Sequence, residues 1–105
     1  MEYNLSFTKN WNNKFNCPVF TTIRPVNPIY KEGDFCNIII AGNTLLKAKI
    51  IYVLDTPRLA DLPAAILCID TGTFSKKEAI ELFSRIYDDP DIRNKPFIVL
   101  TLIKI

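Results

Sequence analysis

The chain has no histidine. That removes Ser-His and Cys-His nucleophile pairs and any histidine base. A general base here must be a carboxylate, a lysine, a tyrosine or a thiolate. Its three cysteines, Cys17, Cys36 and Cys68, are far apart and form no Cys-x-x-Cys. An odd, unpaired set does not read as a disulfide framework. With no imidazole, a zinc site would need four ligands from Cys, Asp and Glu alone, so neither a metal nor another cofactor is expected. Long apolar runs are also missing. Ile38 to Ala41 and Ile50 to Leu54 are far too short to span a bilayer. Met1-Glu2-Tyr3-Asn4-Leu5 has neither the basic run nor the apolar core of a signal peptide. The expectation is a cytoplasmic protein with no membrane partner.

What is present is a globular composition: 105 residues, 49% apolar and 23% charged. That length suits one domain over residues 1–105. Thirteen Lys and Arg against eleven Asp and Glu give a net charge of +2. This is too mild for a dedicated nucleic-acid surface, though it leaves room for a local basic groove. No repeat, low-complexity tract or linker interrupts the chain.

Tyr3 to Thr8 alternates apolar and polar residues and predicts a half-buried strand. Lys9 to Asn16 is polar, with Trp11 and Phe15 four apart, and reads as a helical turn or an anchored loop. Val19 to Arg24 is β-branched and predicts a second strand. Pro25 and Pro28 break the next segment, and Gly33-Asp34 signals a turn into a third strand, Phe35 to Ala41. Gly42-Asn43 suits a type II′ hairpin. The returning strand, Thr44 to Leu54, puts Lys47 and Lys49 toward solvent, then becomes continuously apolar and buried from Ile50.

Leu59 to Ile69 predicts a short helix begun or interrupted by Pro63, and Asp70 to Thr73 a loop. Ser75-Lys76-Lys77-Glu78 matches a capping box, and Ala79, Leu82, Phe83 and Ile86 share one helical face. Pro96 to Ile105 is apolar on both faces and belongs inside a sheet or barrel. The order predicts an α+β fold: a small mixed β-barrel of five to six strands with two or three flanking helices.

Arg24 ends its strand, where its charge can face a cleft rather than the core. The Thr-Thr-Ile-Arg strand end at residues 21–24, followed within ten residues by Tyr30-Lys31-Glu32-Gly33-Asp34, resembles ASCH domains of the PUA-like superfamily. The likeness runs from Val19 to the C-terminus. It implies a β-barrel with a cleft that binds RNA or modified nucleosides. One bacterial branch of that family hydrolyses N4-acetylcytidine with a lysine, a threonine and a glutamate. By that resemblance the threonine falls on Thr22, the arginine on Arg24 and the lysine on Val19, which carries no amine. Asp70 stands near the position of the glutamate.

Each candidate has a plainer alternative. Thr22 is a catalytic nucleophile or a β-branched strand residue. Asp70 is a general base or a turn-forming aspartate. Arg24 clamps a ligand or pairs with Glu32, Asp34 or Asp70. Tyr30 and Trp11 stack on a base or fill the core. Lys47 and Lys49 contact phosphates or solvate a strand; Cys17 is a plain thiol. The leading expectation is a binding module for RNA, a nucleotide or a nucleoside, with contacts from Thr21, Thr22, Arg24, Tyr30, Lys31 and Asp70. An amidohydrolase using Thr22 and Asp70 is the alternative, and Val19 leans the chain away from enzymes. A third reading is a protein-interaction module self-associating through an apolar edge near Ile98 to Ile105.

Overall fold

Five strands form where β-branched and alternating residues were found: β1 (Glu2–Phe7), β2 (Val19–Pro25), β3 (Phe35–Ile40), β4 (Asn43–Thr56) and β5 (Phe97–Lys104). The structure, a computed structural model, describes residues 2–105, so only Met1 of the expected domain lies outside it. The strands make one mixed sheet in the order β1-β3-β4-β5-β2. The β1–β3 pair is parallel; the other pairs are antiparallel. Among the described residues no ladder joins β1 to β2. The barrel expected from the sequence is therefore observed as an open five-stranded sheet with those two strands as its edges.

Among the described residues, two helices and three 3-10 segments accompany the sheet. Helix α1 (Ala64–Thr71) starts after Pro63 and ends on Gly72, whose φ of 77° gives a left-handed cap. Asp70 and Thr71, expected in a loop, are instead the last residues of this helix. Helix α2 (Lys76–Ile86) is capped by Ser75, whose side chain accepts a bond from the Glu78 amide at 3.1 Å. Glu78 reaches back as in a capping box, but to the Phe74 amide, one residue earlier than the reciprocal pattern. The 3-10 segments are Trp11–Asn16, Leu59–Asp61 and Ile92–Asn94.

Strand β5 lies between β4 and β2 and has a core on each side. Ile98, Leu100 and Leu102 pack with Leu5, Phe15, Phe20 and Ile38, while Phe97 and Val99 pack with Ile23, Leu67 and Phe83. This double burial accounts for its two-sided apolar sequence. It also removes the self-association edge expected there, because both neighbours of β5 are already in place. No helix among the described residues is long and apolar enough to cross a membrane.

The hairpins differ in detail from expectation. Ile40 pairs with Asn43, so the central turn residues are Ala41 and Gly42, one residue earlier than expected. Both have positive φ, 51° and 79°, which is the type I′ pattern rather than II′. Further along, the β4–β5 register shifts between Ile50 and Tyr52, and Ile51 and Tyr52 are exposed where a continuous buried run was expected. Ala41 carries a Cβ in a backbone region that asparagine tolerates better. Ala41→Asn is expected to stabilise the fold by about 0.5–1 kcal/mol, read as a raised urea midpoint with unchanged slope.

Candidate functional site

The alternation of β2 sends its side chains to two places. Phe20 enters the core shared with β3 and β4, so Thr22 and Arg24 lie on that same face, while Ile23 joins the helices on the other with Thr21. Its backbone also alternates between two edges. The Thr21 carbonyl accepts a bond from the Lys14 ammonium at 2.8 Å, so the polar groups of Thr21 and Ile23 point away from β5, into the open seam.

Lys14 reaches the seam because of the segment before it. Asn12 and Asn13 both adopt left-handed backbone, with φ of 54° and 53°, a conformation asparagine accepts. The Asn10 side chain accepts the Phe15 amide at 2.9 Å. Phe15 is then wedged edge-on against Phe7 and Phe20, at 4.9 and 5.2 Å between ring centres. With Phe15 committed to the core, Lys14 extends along the exposed edge of β2. There its Nζ meets Asp70 Oδ1 at 2.8 Å, and their side chains are only 6% and 7% exposed. Thr21 Oγ1 donates to the same carboxylate oxygen at 2.9 Å.

Burial dominates the electrostatics of this pair. It pushes the Asp70 carboxyl above its ordinary value, against the pull of Lys14, the Thr21 hydroxyl and the Ile23 amide. It pulls the Lys14 amine below its ordinary value, with Asp70 opposing and Arg24 adding to the effect. The strand edge is thus met by a buried charge pair, whose desolvation offsets much of its attraction.

Arg24 bridges the seam from the other side. Its Nη2 donates to the Ser6 carbonyl of β1 at 2.9 Å, and its guanidinium lies 4.6 Å from the Phe7 ring centre. The partner is a carbonyl rather than any of the three carboxylates expected from sequence. Its Nε is buried and has no hydrogen-bond partner among the described residues. Burial lowers the guanidinium's pKa, with Tyr30, Tyr87 and Asp70 opposing, yet arginine keeps its charge.

These groups surround a cleft of about 90 Å³. Thr22, Arg24 and Asp70 line it, as does Trp11. Thr21 belongs to the site through its bond to Asp70. Tyr30 and Lys31 do not line the cleft. Tyr30 packs edge-on to Tyr3 at 5.5 Å, and Lys31 borders a separate groove with Pro28 and Ile29. Lys14, Ser6, Thr8 and Tyr87 also line the cleft and were not foreseen. Only Lys14 had a sequence signal: it lies between the two anchoring aromatics, Trp11 and Phe15. No cluster of three or more Cys, Asp or Glu residues that could hold a metal occurs among the described residues. The arrangement offers a desolvated amine, a carboxylate, threonine hydroxyls and a guanidinium donor. Together they can hold a small acceptor group and exchange protons with it.

No protein-family model matches the sequence, and no curated protein matches it. The fold is similar to the crystal structure of the hypothetical protein PH0355, with a TM-score of 0.74 and 12% identity over all of both chains. At that identity the likeness extends to the fold.

Lys14→Met is expected to cost about 3–5 kcal/mol near neutral pH, because Asp70 stays buried without its cation. The raised Asp70 pKa sets the sign with pH. A carboxyl that binds its proton more tightly in the folded state stabilises at low pH and loses that contribution as pH rises through its folded value. The variant is therefore expected to lose stability as pH rises from about 4, more steeply than the unsubstituted protein. Lys14→Met with Asp70→Asn is expected to recover most of the loss. Urea unfolding at several pH values checks all three.

Proposed function

We propose that this chain is an ASCH-like, PUA-like binding module whose seam cleft takes the base of a nucleoside, a nucleotide or a single-stranded RNA. The observation that carries this reading is that Arg24, Asp70, Thr22 and Trp11 line one cleft. A guanidinium beside such a cleft can meet the acceptor edge of a base. The small cavity suits the edge of a base, with the rest of the ligand lying across the mouth. The approach of β1 and β2 across Arg24 supports viewing the sheet as a barrel that lacks one ladder. Lys31 and Tyr30 have no part in this site.

A second reading, an amidohydrolase acting on an acylated nucleoside, is favoured by one observation. The amine missing at Val19 is supplied at the cleft by Lys14, beside Asp70. A water would attack the acyl carbon and give its proton to the Lys14–Asp70 pair, which passes it to the leaving amine as the carboxylic acid departs; with Thr22 as nucleophile the amine leaves first and a water then hydrolyses the Thr22 ester.

A thermal-shift panel of the four common nucleosides, their 5′-monophosphates and a short single-stranded RNA tests the binding module. A ligand at a hundred times its Kd adds about 2.7 kcal/mol. The stabilisation is expected to disappear in Arg24→Ala and to fall in Arg24→Lys, which keeps the charge without the planar fork. Unchanged binding in both would remove the site. Release of acetate from N4-acetylcytidine, lost in Asp70→Asn, would put the hydrolase first; no release would leave it without support.

A further inference from the structure

Phe74 is 94% exposed, more than any other large apolar residue among those described. Burying its ring would stabilise the fold, yet the fold leaves it in water. The backbone that carries it is bonded on both sides. The Phe74 amide donates to Glu78 Oε2 at 3.2 Å, and Ser75 caps the helix that follows. Before it, the Thr71 and Thr73 hydroxyls share a hydrogen bond at 2.8 Å. The ring therefore stands on a frame already ordered, which lowers the cost of binding a partner there.

This frame adjoins the cleft. Thr71 and Trp11 both line the cleft, and Phe74 does not. Three residues of chain from Thr71 span at most about 11 Å, which bounds the distance to Phe74. A Cβ at Gly72 would lie 3.1 Å from that of Asn12, so the segments bearing Trp11 and Phe74 meet there. Asn12 and Gly72 are exposed and Trp11 is half-buried, so an accessible strip runs from the cleft to Phe74.

Ammonium groups stand at both ends of the strip. Lys9 Nζ lies 4.2 Å from the Trp11 ring centre. Lys76, half-buried, and Lys77, exposed, follow Phe74 in the chain. The acids beside them are already engaged: Glu78 by the Phe74 amide and Asp61 by Arg58 at 2.8 Å. An exposed ring among lysines suits a single-stranded nucleic acid, whose bases stack while its phosphates meet the cations. An apolar protein surface would gain nothing from the lysines.

Resting on the reading of the cleft as a base site, we propose that Phe74 is a second base-stacking site outside it. The cleft takes one base of a single-stranded RNA. A base further along the same strand lies on the Phe74 ring, and Lys76 and Lys77 meet the phosphates between.

The test is titration of uridine and of tetrauridylate, followed by Trp11 fluorescence, into the unsubstituted protein, Phe74→Ala, Phe74→Leu and Phe74→Tyr. Tetrauridylate is expected to bind at least tenfold tighter than uridine. Phe74→Ala should weaken tetrauridylate about tenfold, within the range of one stacked base, and leave uridine binding and the melting temperature unchanged. Phe74→Leu should lose the same contact, and Phe74→Tyr, which keeps a ring, should retain it. Equal affinity of the unsubstituted protein for the two ligands would overturn the second site and leave the cleft standing. So would tetrauridylate binding that Phe74→Ala does not alter, or that Phe74→Leu fully retains. Binding of neither ligand would overturn the cleft reading as well. Self-association of the unsubstituted protein in sedimentation, lost in Phe74→Ala while tetrauridylate binding persists, would make Phe74 a protein contact and overturn the stacking site.

Discussion

The contact between Lys14 and Asp70 is the constraint on which the rest of the site depends. A sheet edge must do something with its outward amides and carbonyls. Closing a barrel would satisfy them with another strand. Here the 3-10 segment and α1 supply an ammonium and a carboxylate instead, 2.8 Å apart and almost fully buried. Lys14 takes the Thr21 carbonyl, and the Asp70 carboxylate takes the Thr21 hydroxyl and faces the Ile23 amide. The seam is filled along part of its length, and the remainder is the cleft. Burying two charges for this purpose is costly, and hydrophobic replacements often do as well energetically. What the pair adds is chemistry, since burial lowers the pKa of the amine and raises that of the carboxyl, and both line a cavity.

Several local features serve that contact. The left-handed Asn12 and Asn13 turn the chain so that Phe15 and Lys14 point to different places. Gly72 lets α1 end against this segment: a Cβ there would lie 3.1 Å from that of Asn12. Asn12 in turn donates to the Ile69 carbonyl in the last turn of α1 at 2.8 Å. Asp70, one residue later, is thereby held at the height of Thr21. On the other side, Arg24 fastens β2 to β1 through Ser6. The cleft is bounded by two cations with different roles: one paired with a carboxylate, the other bonded to a neutral carbonyl.

Much of the fold was legible because strands and helices leave short-range periodic traces. All five strands and the Ser75-capped helix followed from alternation, apolar spacing and capping chemistry. Closure was not legible, because whether two edge strands pair depends on what else can satisfy their backbones, and that partner was a side chain from outside the motif strand. The turn at Ala41-Gly42 was displaced by one residue because hairpin register is set jointly by both strands, not by the glycine alone. In the site, Arg24 was legible from its place at a strand end, whereas Thr22 and Asp70 were singled out by the resemblance, and Asp70 stands at a helix end rather than in the loop expected for it. Tyr30 and Lys31 were included as part of the Tyr-Lys-Glu-Gly-Asp turn that carries the resemblance, and the proline-broken loop takes them elsewhere. Lys14 was passed over because a strand-register comparison cannot see an amine delivered by a non-repetitive segment. Tyr87 had no trace of its own beyond ending a helix.

The most direct measurement is the NMR signal of the Arg24 Nε–H during titration with uridine. With uridine in this cleft the signal should shift through the guanidinium that lines it, with neighbouring changes confined to Ser6, Trp11, Thr22 and Tyr87. An Nε–H signal that stays still while uridine perturbs residues away from the seam would contradict the assignment of this cleft as the binding site.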